Sequence, residues 1–114
     1  MMTIKFKTTN AAFSEEERAL IQSSTVSADK NPQYQYRNPG NATTDKVFLL
    51  SINEVYKYFS DINARECSPT AYAKAQGAKT STYNGVDTCA WWLRSPGSNQ
   101  SFATSVDYSG SVES

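Results

Sequence analysis

Residues 89–97 constrain the fold more than any other stretch, because they contain both tryptophans and end in a Ser-Pro-Gly break. Consecutive large side chains favour a β-strand, where they pack on a pleated and half-buried surface. The strand period of two predicts that Trp91 and Leu93 share one face. Trp92 and Arg94 then lie on the opposite face. The proline lacks an N–H for a ladder and the glycine accepts a positive φ, so we expect the strand to stop at this break.

Composition argues against several classes of function. The 114 residues predict one domain, 1–114. Eleven basic and eleven acidic residues cancel, so the chain has no excess positive charge with which to hold nucleic acid. Histidine, the commonest general base and metal ligand, is absent. No apolar run approaches the roughly 20 residues of a membrane span, and the first residues do not resemble a signal peptide.

Three helix starts are predicted from capping residues. They are expected at Ser14, Ser51 and Ser68. A glutamate three residues after each of the first two serines completes a capping box, and Pro69 suits the first position of the third helix. The first helix is predicted to end near Ser23, where its apolar residues stop.

Strands and loops are predicted between these helices. Alternation over residues 3–7 indicates a short edge strand, and the apolar run in 45–50 indicates a buried central strand. The Asn- and Pro-rich stretch 25–44 is predicted to be a mobile loop, since a loop of this length is often functional or mobile. Residues 80–88 are predicted to be a polar loop.

The end of the sequence predicts a hairpin. Residues 102–106 alternate, 107–110 carry turn residues, and 111–114 begin a return strand. Because the second arm is so short, we expect a truncated copy of the domain, or a strand-completing partner or oligomer.

Two cysteines, Cys67 and Cys89, lie 22 positions apart. Without histidine they supply too few ligands for a closed zinc site, which needs four. They are therefore expected to be a disulfide or two buried thiols. A disulfide would add about 3 kcal/mol to the free energy of unfolding by restricting the unfolded chain.

Residues 91–97 read Trp-Trp-Leu-Arg-Ser-Pro-Gly, and several other blocks accompany them in order: 10–16, 44–51, 67–78 and 106–112. Together they resemble an uncharacterised domain family that is common in secreted and surface proteins of gut bacteria and has this heptapeptide as its hallmark. The family's fold is similar to the C-type lectin-like fold, which also occurs in formylglycine-generating enzymes and in variable proteins diversified by retroelements.

The resemblance implies an α+β domain of C-type lectin-like plan, with a small twisted antiparallel sheet and two or three helices. It favours the disulfide, because cysteines at the positions of Cys67 and Cys89 often occur together in the family. It also implies an extracellular or cell-surface location. The family usually continues into a Gly-Val-Arg-Pro-Ala-Leu segment that is absent here, which adds to the expectation of a truncated C-terminus.

The segment after Trp91 carries the candidate ligand contacts. Aromatic faces stack on ligands, arginine forks to carboxylates, and Ser, Gly, Asn and Tyr are typical of binding loops. The alternative is that the tryptophans are core residues, that Arg94 is a satisfied structural group and that the hairpin is ordinary. The candidate ligand-binding residues are Trp92, Arg94, Asn99, Gln100, Phe102, Asp107 and Tyr108.

These features predict a non-catalytic binding or adhesion domain for a protein or carbohydrate ligand at the cell surface, with no cofactor. Calcium needs six to eight oxygen ligands, whereas Asp87 and Asp107 are isolated in the sequence, so we expect no calcium site. One alternative is a structural spacer or assembly module, which burial of Trp92 and Tyr108 would favour. Another, suggested by the formylglycine-generating relatives, is a cysteine oxidase, which a low-pKa Cys89 would favour.

Overall fold

Three α-helices, one 3₁₀ turn and seven short strands follow one another in the described part of the chain. The structure is a computed structural model and describes residues 13–83, 85–99 and 101–114. The helices are α1 (Glu15–Leu20), α2 (Ile52–Tyr58) and α3 (Ala71–Ala75), and the 3₁₀ turn is Ile62–Arg65. The strands are β1 (Ser24–Val26), β2 (Thr43–Asp45), β3 (Ser81–Tyr83), β4 (Val86–Thr88), β5 (Trp91–Pro96), β6 (Ala103–Val106) and β7 (Val112–Glu113). The chain is thus a small α+β domain, as predicted.

The strands form three small antiparallel sheets. Strands β5, β6 and β7 make one sheet with β6 in the middle, while β1–β2 and β3–β4 are separate two-stranded sheets. Trp91 lies opposite Val106 and Trp92 lies opposite Ser105, and the register then shifts before Pro96. The strand ends at Pro96, within the Ser-Pro-Gly sequence at which it was predicted to stop.

The hydrophobic core lies between α2 and the three-stranded sheet. Ile52 and Val55 from α2 meet Leu93 from β5 and Val106 from β6, and each is at most 3% exposed. Burying an aliphatic side chain of this size contributes about 1.5–3 kcal/mol. Trp91 packs against this cluster, so the predicted face shared by Trp91 and Leu93 is confirmed.

The predicted capping residues are confirmed for α1 and α2. The Ser51 hydroxyl accepts from the Glu54 N–H at 3.2 Å, and the Glu54 carboxylate accepts from the Ser51 N–H at 2.9 Å, which is a complete capping box. Ser14 accepts from the Glu17 N–H at 3.1 Å. Helix α1 ends at Leu20, however, before the predicted end.

The third helix begins two residues later than predicted. Thr70, not Ser68, is the N-cap, and its hydroxyl accepts from the Ala73 N–H at 3.1 Å. Pro69 therefore lies outside the helix. A threonine hydroxyl can also accept from a free N–H at a helix start, so Thr70 takes the role that was predicted for Ser68.

The prediction of a buried strand over 45–50 is wrong. Its first residue ends β2, and the rest is not part of a ladder. Instead the Leu50 carbonyl accepts from the Arg94 N–H at 2.9 Å, while the Leu49 carbonyl accepts from the Arg94 side chain, also at 2.9 Å. Both bonds come from Arg94, one from its backbone and one from its side chain. This segment therefore contacts β5 at one residue and does not form a ladder with it.

Other loop predictions need adjustment. Residues 80–88 contain the β3–β4 hairpin rather than a plain loop. The ends of the 25–44 stretch pair as β1 and β2, with Ser24 opposite Asp45, and its mobility stays a prediction. The return strand β7 is confirmed. The predicted edge strand at 3–7 lies outside the described residues.

A buried asparagine fixes the stretch between β1 and β2. Asn31 is fully buried, and its amide donates to the Pro96 carbonyl at 2.9 Å and to the Ser114 hydroxyl at 3.4 Å. Its side-chain oxygen accepts from the Gln33 N–H at 2.9 Å. Since an unpaired buried amide is costly, these bonds hold the stretch against the end of β5.

Candidate functional site

An exposed tryptophan stands beside an apolar groove. Trp92 is 55% exposed, because strand alternation turns it away from the core side of β5. The groove has a volume of about 610 Å³. We call it the Trp92 groove. Its lining consists of Leu49, Ala73, Ala78, Lys79, Cys89, Ala90, Trp91, Trp92, Ser105 and Tyr108.

Small side chains and a fixed turn shape the Trp92 groove. Ala73 and Ala78, in and just after α3, leave room in front of the strand. On the other side, the Tyr108 carbonyl accepts from the buried Thr88 hydroxyl at 2.9 Å, which fixes the position of the turn that carries Tyr108. Within the described part of the chain, Lys79 is the single charged residue of the lining, so the groove offers apolar area with a few polar groups at its margin.

Arg94 is committed to the fold rather than exposed to a ligand. Its side chain is 3% exposed and its guanidinium donates to the Glu54 carboxylate through both terminal nitrogens. The guanidinium also donates to the Leu49 and Ser27 carbonyls, at 2.9 and 3.1 Å, and lies 3.6 Å from the Asp29 carboxylate. This geometry favours the structural alternative for Arg94.

Asp107 organises the turn that precedes β7. Its carboxylate accepts from the N–H groups of Ser109 and Ser111, both at 2.9 Å, and from the Ser109 hydroxyl at 2.8 Å. Partial burial raises the pKa of Asp107, but these hydrogen bonds outweigh it and leave the pKa below its ordinary value. The carboxylate is therefore used within the turn.

Two further candidates line a different cavity. Asn99 and Phe102 border a pocket of about 410 Å³, on the side of the long β1–β2 connection. We call it the Arg37 pocket, and its lining consists of Tyr36, Arg37, Asn38, Pro96, Gly97, Asn99 and Phe102. Gln100 lies outside the described residues. The predicted site residues thus fall into three groups. Some line the Trp92 groove, some line the Arg37 pocket, and Arg94 and Asp107 make hydrogen bonds within the fold.

The two cysteines lie opposite each other in a single antiparallel bridge. The Cys89 N–H donates to the Cys67 carbonyl at 2.8 Å, and both cysteines are present as thiols. Burial raises the pKa of the Cys89 thiol above its ordinary value, and the neighbouring Cys67 raises it further. The two cysteines that were expected to form a disulfide therefore face each other across this bridge.

Several lining residues were not anticipated from the sequence. Ala73 and Ala78 were not among the candidate residues, and Leu49 was assigned to a buried strand. Tyr36 and Arg37 belong to the stretch interpreted as a loop. Their shared signal is a Tyr-x-Tyr-Arg run inside a polar segment, which indicates exposed aromatic area but not what it faces.

Two further observations bear on partners. Among the described residues, no cluster of three or more His, Cys, Asp or Glu side chains is placed to hold a metal ion. No helix in that part of the chain has the length and apolar character of a membrane-spanning helix.

Comparison with known proteins identifies a family. Neither the curated proteins nor the solved structures include a match to this chain. The match that exists covers residues 7–114, and with it nearly the whole chain. On that basis the chain belongs to the DUF6273 family, which is described as a domain of unknown function.

Proposed function

We propose that this domain is a non-catalytic binding or adhesion domain that takes a protein or carbohydrate ligand in the Trp92 groove. The observation that carries the proposal is the position of Trp92: a large ring, 55% exposed, at the edge of a groove of about 610 Å³. Ligand sites commonly have volumes of about 300–1,000 Å³, and exposed tryptophans are enriched among residues that dominate binding energy.

The chemistry of the lining supports this choice of ligand. The rings of Trp92 and Tyr108 offer flat surfaces on which the C–H face of a sugar or an apolar side chain can pack. Lys79, Ser105 and the Tyr108 hydroxyl supply a small number of polar groups for orientation. A ligand with an apolar face and few polar contacts fits this arrangement.

Two alternatives are less well supported. A spacer or assembly module without a ligand would be favoured by burial of Trp92 and Tyr108, whereas Trp92 is more than half exposed and Tyr108 is only partly buried. A cysteine oxidase would need a reactive thiolate, whereas the raised pKa of Cys89 keeps its thiol protonated at neutral pH. Both observations favour binding.

We also propose a C-type lectin-like plan and an extracellular or cell-surface location. Support for the location comes from the facing pair Cys67 and Cys89, since disulfides persist in oxidising environments. Support for the plan comes from the small antiparallel sheet flanked by short helices.

The proposal is tested by comparing wild type with Trp92→Ala on arrays of neutral oligosaccharides and of peptides, followed by calorimetric titration of the ligands retained. The matched control is Tyr58→Ala, because Tyr58 is 61% exposed on α2 and does not line the groove. We expect Trp92→Ala to weaken binding by about tenfold or more and the control to leave it unchanged.

Two results would contradict the proposal. Retention of full affinity by Trp92→Ala would show that the groove is not the site. Absence of binding to either ligand class by wild type would favour the structural-module alternative.

A further inference from the structure

We propose that the Arg37 pocket is a second binding site, separate from the Trp92 groove, and that it takes a carboxylate carried on a ring. The pocket lies between two segments that are far apart in sequence. Tyr36, Arg37 and Asn38 form one side, and Pro96, Gly97, Asn99 and Phe102 form the other.

The pocket is held in shape without a ligand. The Arg37 Nε donates to the Ser98 carbonyl at 2.8 Å, which joins the two sides directly. Asn31 joins the same two segments below, through its bond to the Pro96 carbonyl. Gly97 is buried at the pocket, where a Cβ would collide with the Phe102 carbonyl oxygen, so only glycine permits this close approach.

Several side-chain nitrogens of the lining remain free to donate. Arg37 uses only its Nε within the described residues, so both terminal nitrogens of its guanidinium are available. Asn38 and Asn99 use their side-chain oxygens to accept from the N–H groups of Gly40 and Ser101, at 2.9 and 2.8 Å. Their NH₂ groups have no partner among the described residues.

The charge of the lining points to an anion. Among the described residues, Arg37 is the single charged residue of the lining, and no carboxylate borders the pocket. Arg94 offers a contrast, because its guanidinium is already paired with Glu54. A carboxylate supplies acceptors only, matches the planar fork of a guanidinium and leaves no donor of its own unpaired.

The aromatic rings point to the body of the ligand. Tyr36 is 73% exposed and Phe102 is 57% exposed, one from each side of the pocket. The Arg37 guanidinium carbon lies 5.0 Å from the centre of the Tyr36 ring, so the charge and the flat surface are adjacent. A ring that carries a carboxylate would contact both, and this chemistry is shared by acidic sugars and aromatic acids.

The test is a titration followed by NMR chemical shifts, with two acids and their neutral counterparts: glucuronate against glucose, and benzoate against benzamide. We expect at least one acid to bind about tenfold more tightly than its neutral counterpart, because a carboxylate forms charge-assisted hydrogen bonds with the guanidinium. A tenfold difference in affinity corresponds to about 1.4 kcal/mol of binding free energy. Stronger binding of glucuronate would indicate a sugar ligand, and stronger binding of benzoate an aromatic one.

Variants locate the binding. Arg37→Gln is expected to abolish the preference for the acids, and Arg37→Lys to retain part of it. Lys46→Gln, which removes one positive charge from an exposed residue outside the pocket, is the matched control and should bind as wild type does. Because Arg37→Gln also removes the bond to Ser98, Phe102→Ala provides an independent test that leaves the donors in place. It should weaken acid binding severalfold.

Acid binding at the Arg37 pocket is tested independently of the function proposed for the Trp92 groove. Trp92→Ala should leave acid binding unchanged, whether or not the groove binds a ligand of its own. Equal affinity for acids and neutral counterparts, no binding of either acid at millimolar concentration, or full binding by Arg37→Gln would each overturn the proposal.

Discussion

Arg94 in β5 donates hydrogen bonds to both carboxylate oxygens of Glu54, which lies in the first turn of α2. The same carboxylate accepts from the Ser51 N–H in the capping box. One glutamate therefore closes the start of the helix and neutralises a buried arginine of the sheet. The contact joins residues 40 positions apart and lies beside the core pair of α2 and β5.

This pair predicts how stability depends on pH. The hydrogen bonds from Arg94 lower the pKa of Glu54, against an opposing effect of partial burial and with further help from Ser51. Since the folded pKa lies below the unfolded value of about 4.3, the stabilisation is fully present above that pH. It is lost as the pH falls through the lower, folded pKa.

Urea unfolding at a series of pH values between neutral and acidic checks this prediction. Glu54→Gln should reduce the loss of stability in acid, and Glu54→Ala should cost about 3 kcal/mol at neutral pH, because the buried guanidinium would keep only the more distant Asp29 carboxylate as a charged partner. Glu16→Gln, at an exposed position of α1, is the control. If the free energy of unfolding of Glu54→Gln fell with decreasing pH as steeply as that of wild type, the assignment of this pH dependence to Glu54 would be wrong.

The two neighbouring tryptophans are predicted to differ in their effect on stability. Trp91 packs against the core and its indole N–H donates to the Arg65 carbonyl at 3.1 Å, so Trp91→Ala should cost about 3 kcal/mol. Trp92→Ala should change the free energy of unfolding by less than about 1 kcal/mol. Chemical denaturation of both variants tests this. Equal losses would mean that the alternation of β5 does not place the rings as described.

Two glycines with nearly the same backbone conformation should respond differently to alanine. Gly40 and Gly110 have φ values of 87° and 85°. A Cβ at Gly40 would meet open space, whereas one at Gly110 would collide with the Ile62 carbonyl oxygen. Gly40→Ala should cost about 1 kcal/mol from the left-handed backbone alone.

Gly110→Ala should cost clearly more, because the turn or the 3₁₀ segment must also move. Thermal unfolding of the two variants measures the difference. Losses of the same size would show that the approach of the turn to Ile62 does not contribute.

The facing cysteines are predicted to form a disulfide under oxidising conditions. A hydrogen-bonded antiparallel pair places its Cα atoms about 5.5 Å apart, within the range that a disulfide spans. Oxidation should lower the intact mass by two hydrogen atoms, block thiol labelling and raise the free energy of unfolding by about 3 kcal/mol. The Cys67→Ser variant should show none of these changes. Rapid labelling of both thiols in oxidised wild type would contradict the prediction.

The elements that were predicted correctly depend on neighbouring residues. The capping box at Ser51 spans one helical turn, and the alternation of β5 and β6 is visible within six residues. The apolar run at 45–50 was misassigned because it meets β5 at one residue, Arg94, and forms no ladder with it. Its carbonyls bond to Arg94, and no local pattern indicates an arginine more than 40 residues away.

The candidate site was predicted only in part for the same reason. Trp92 follows directly from strand alternation, which is a local rule. The alanines that line the same groove lie in and just after α3, and the partners of Phe102 come from a stretch about 65 residues earlier in the chain. Which of these surfaces meet depends on tertiary packing, so the sequence indicated candidate residues without showing that they line two separate cavities.

Asn31 has a consequence for how this domain tolerates change. The connection between β1 and β2 is held by a buried amide with bonds to Pro96 and Ser114, and Arg37 adds one bond to the Ser98 carbonyl. An exposed neighbour such as Tyr36 can then be exchanged while Asn31 keeps the connection in place. This stretch should therefore tolerate substitution at its exposed side chains far better than at the buried amide that anchors it.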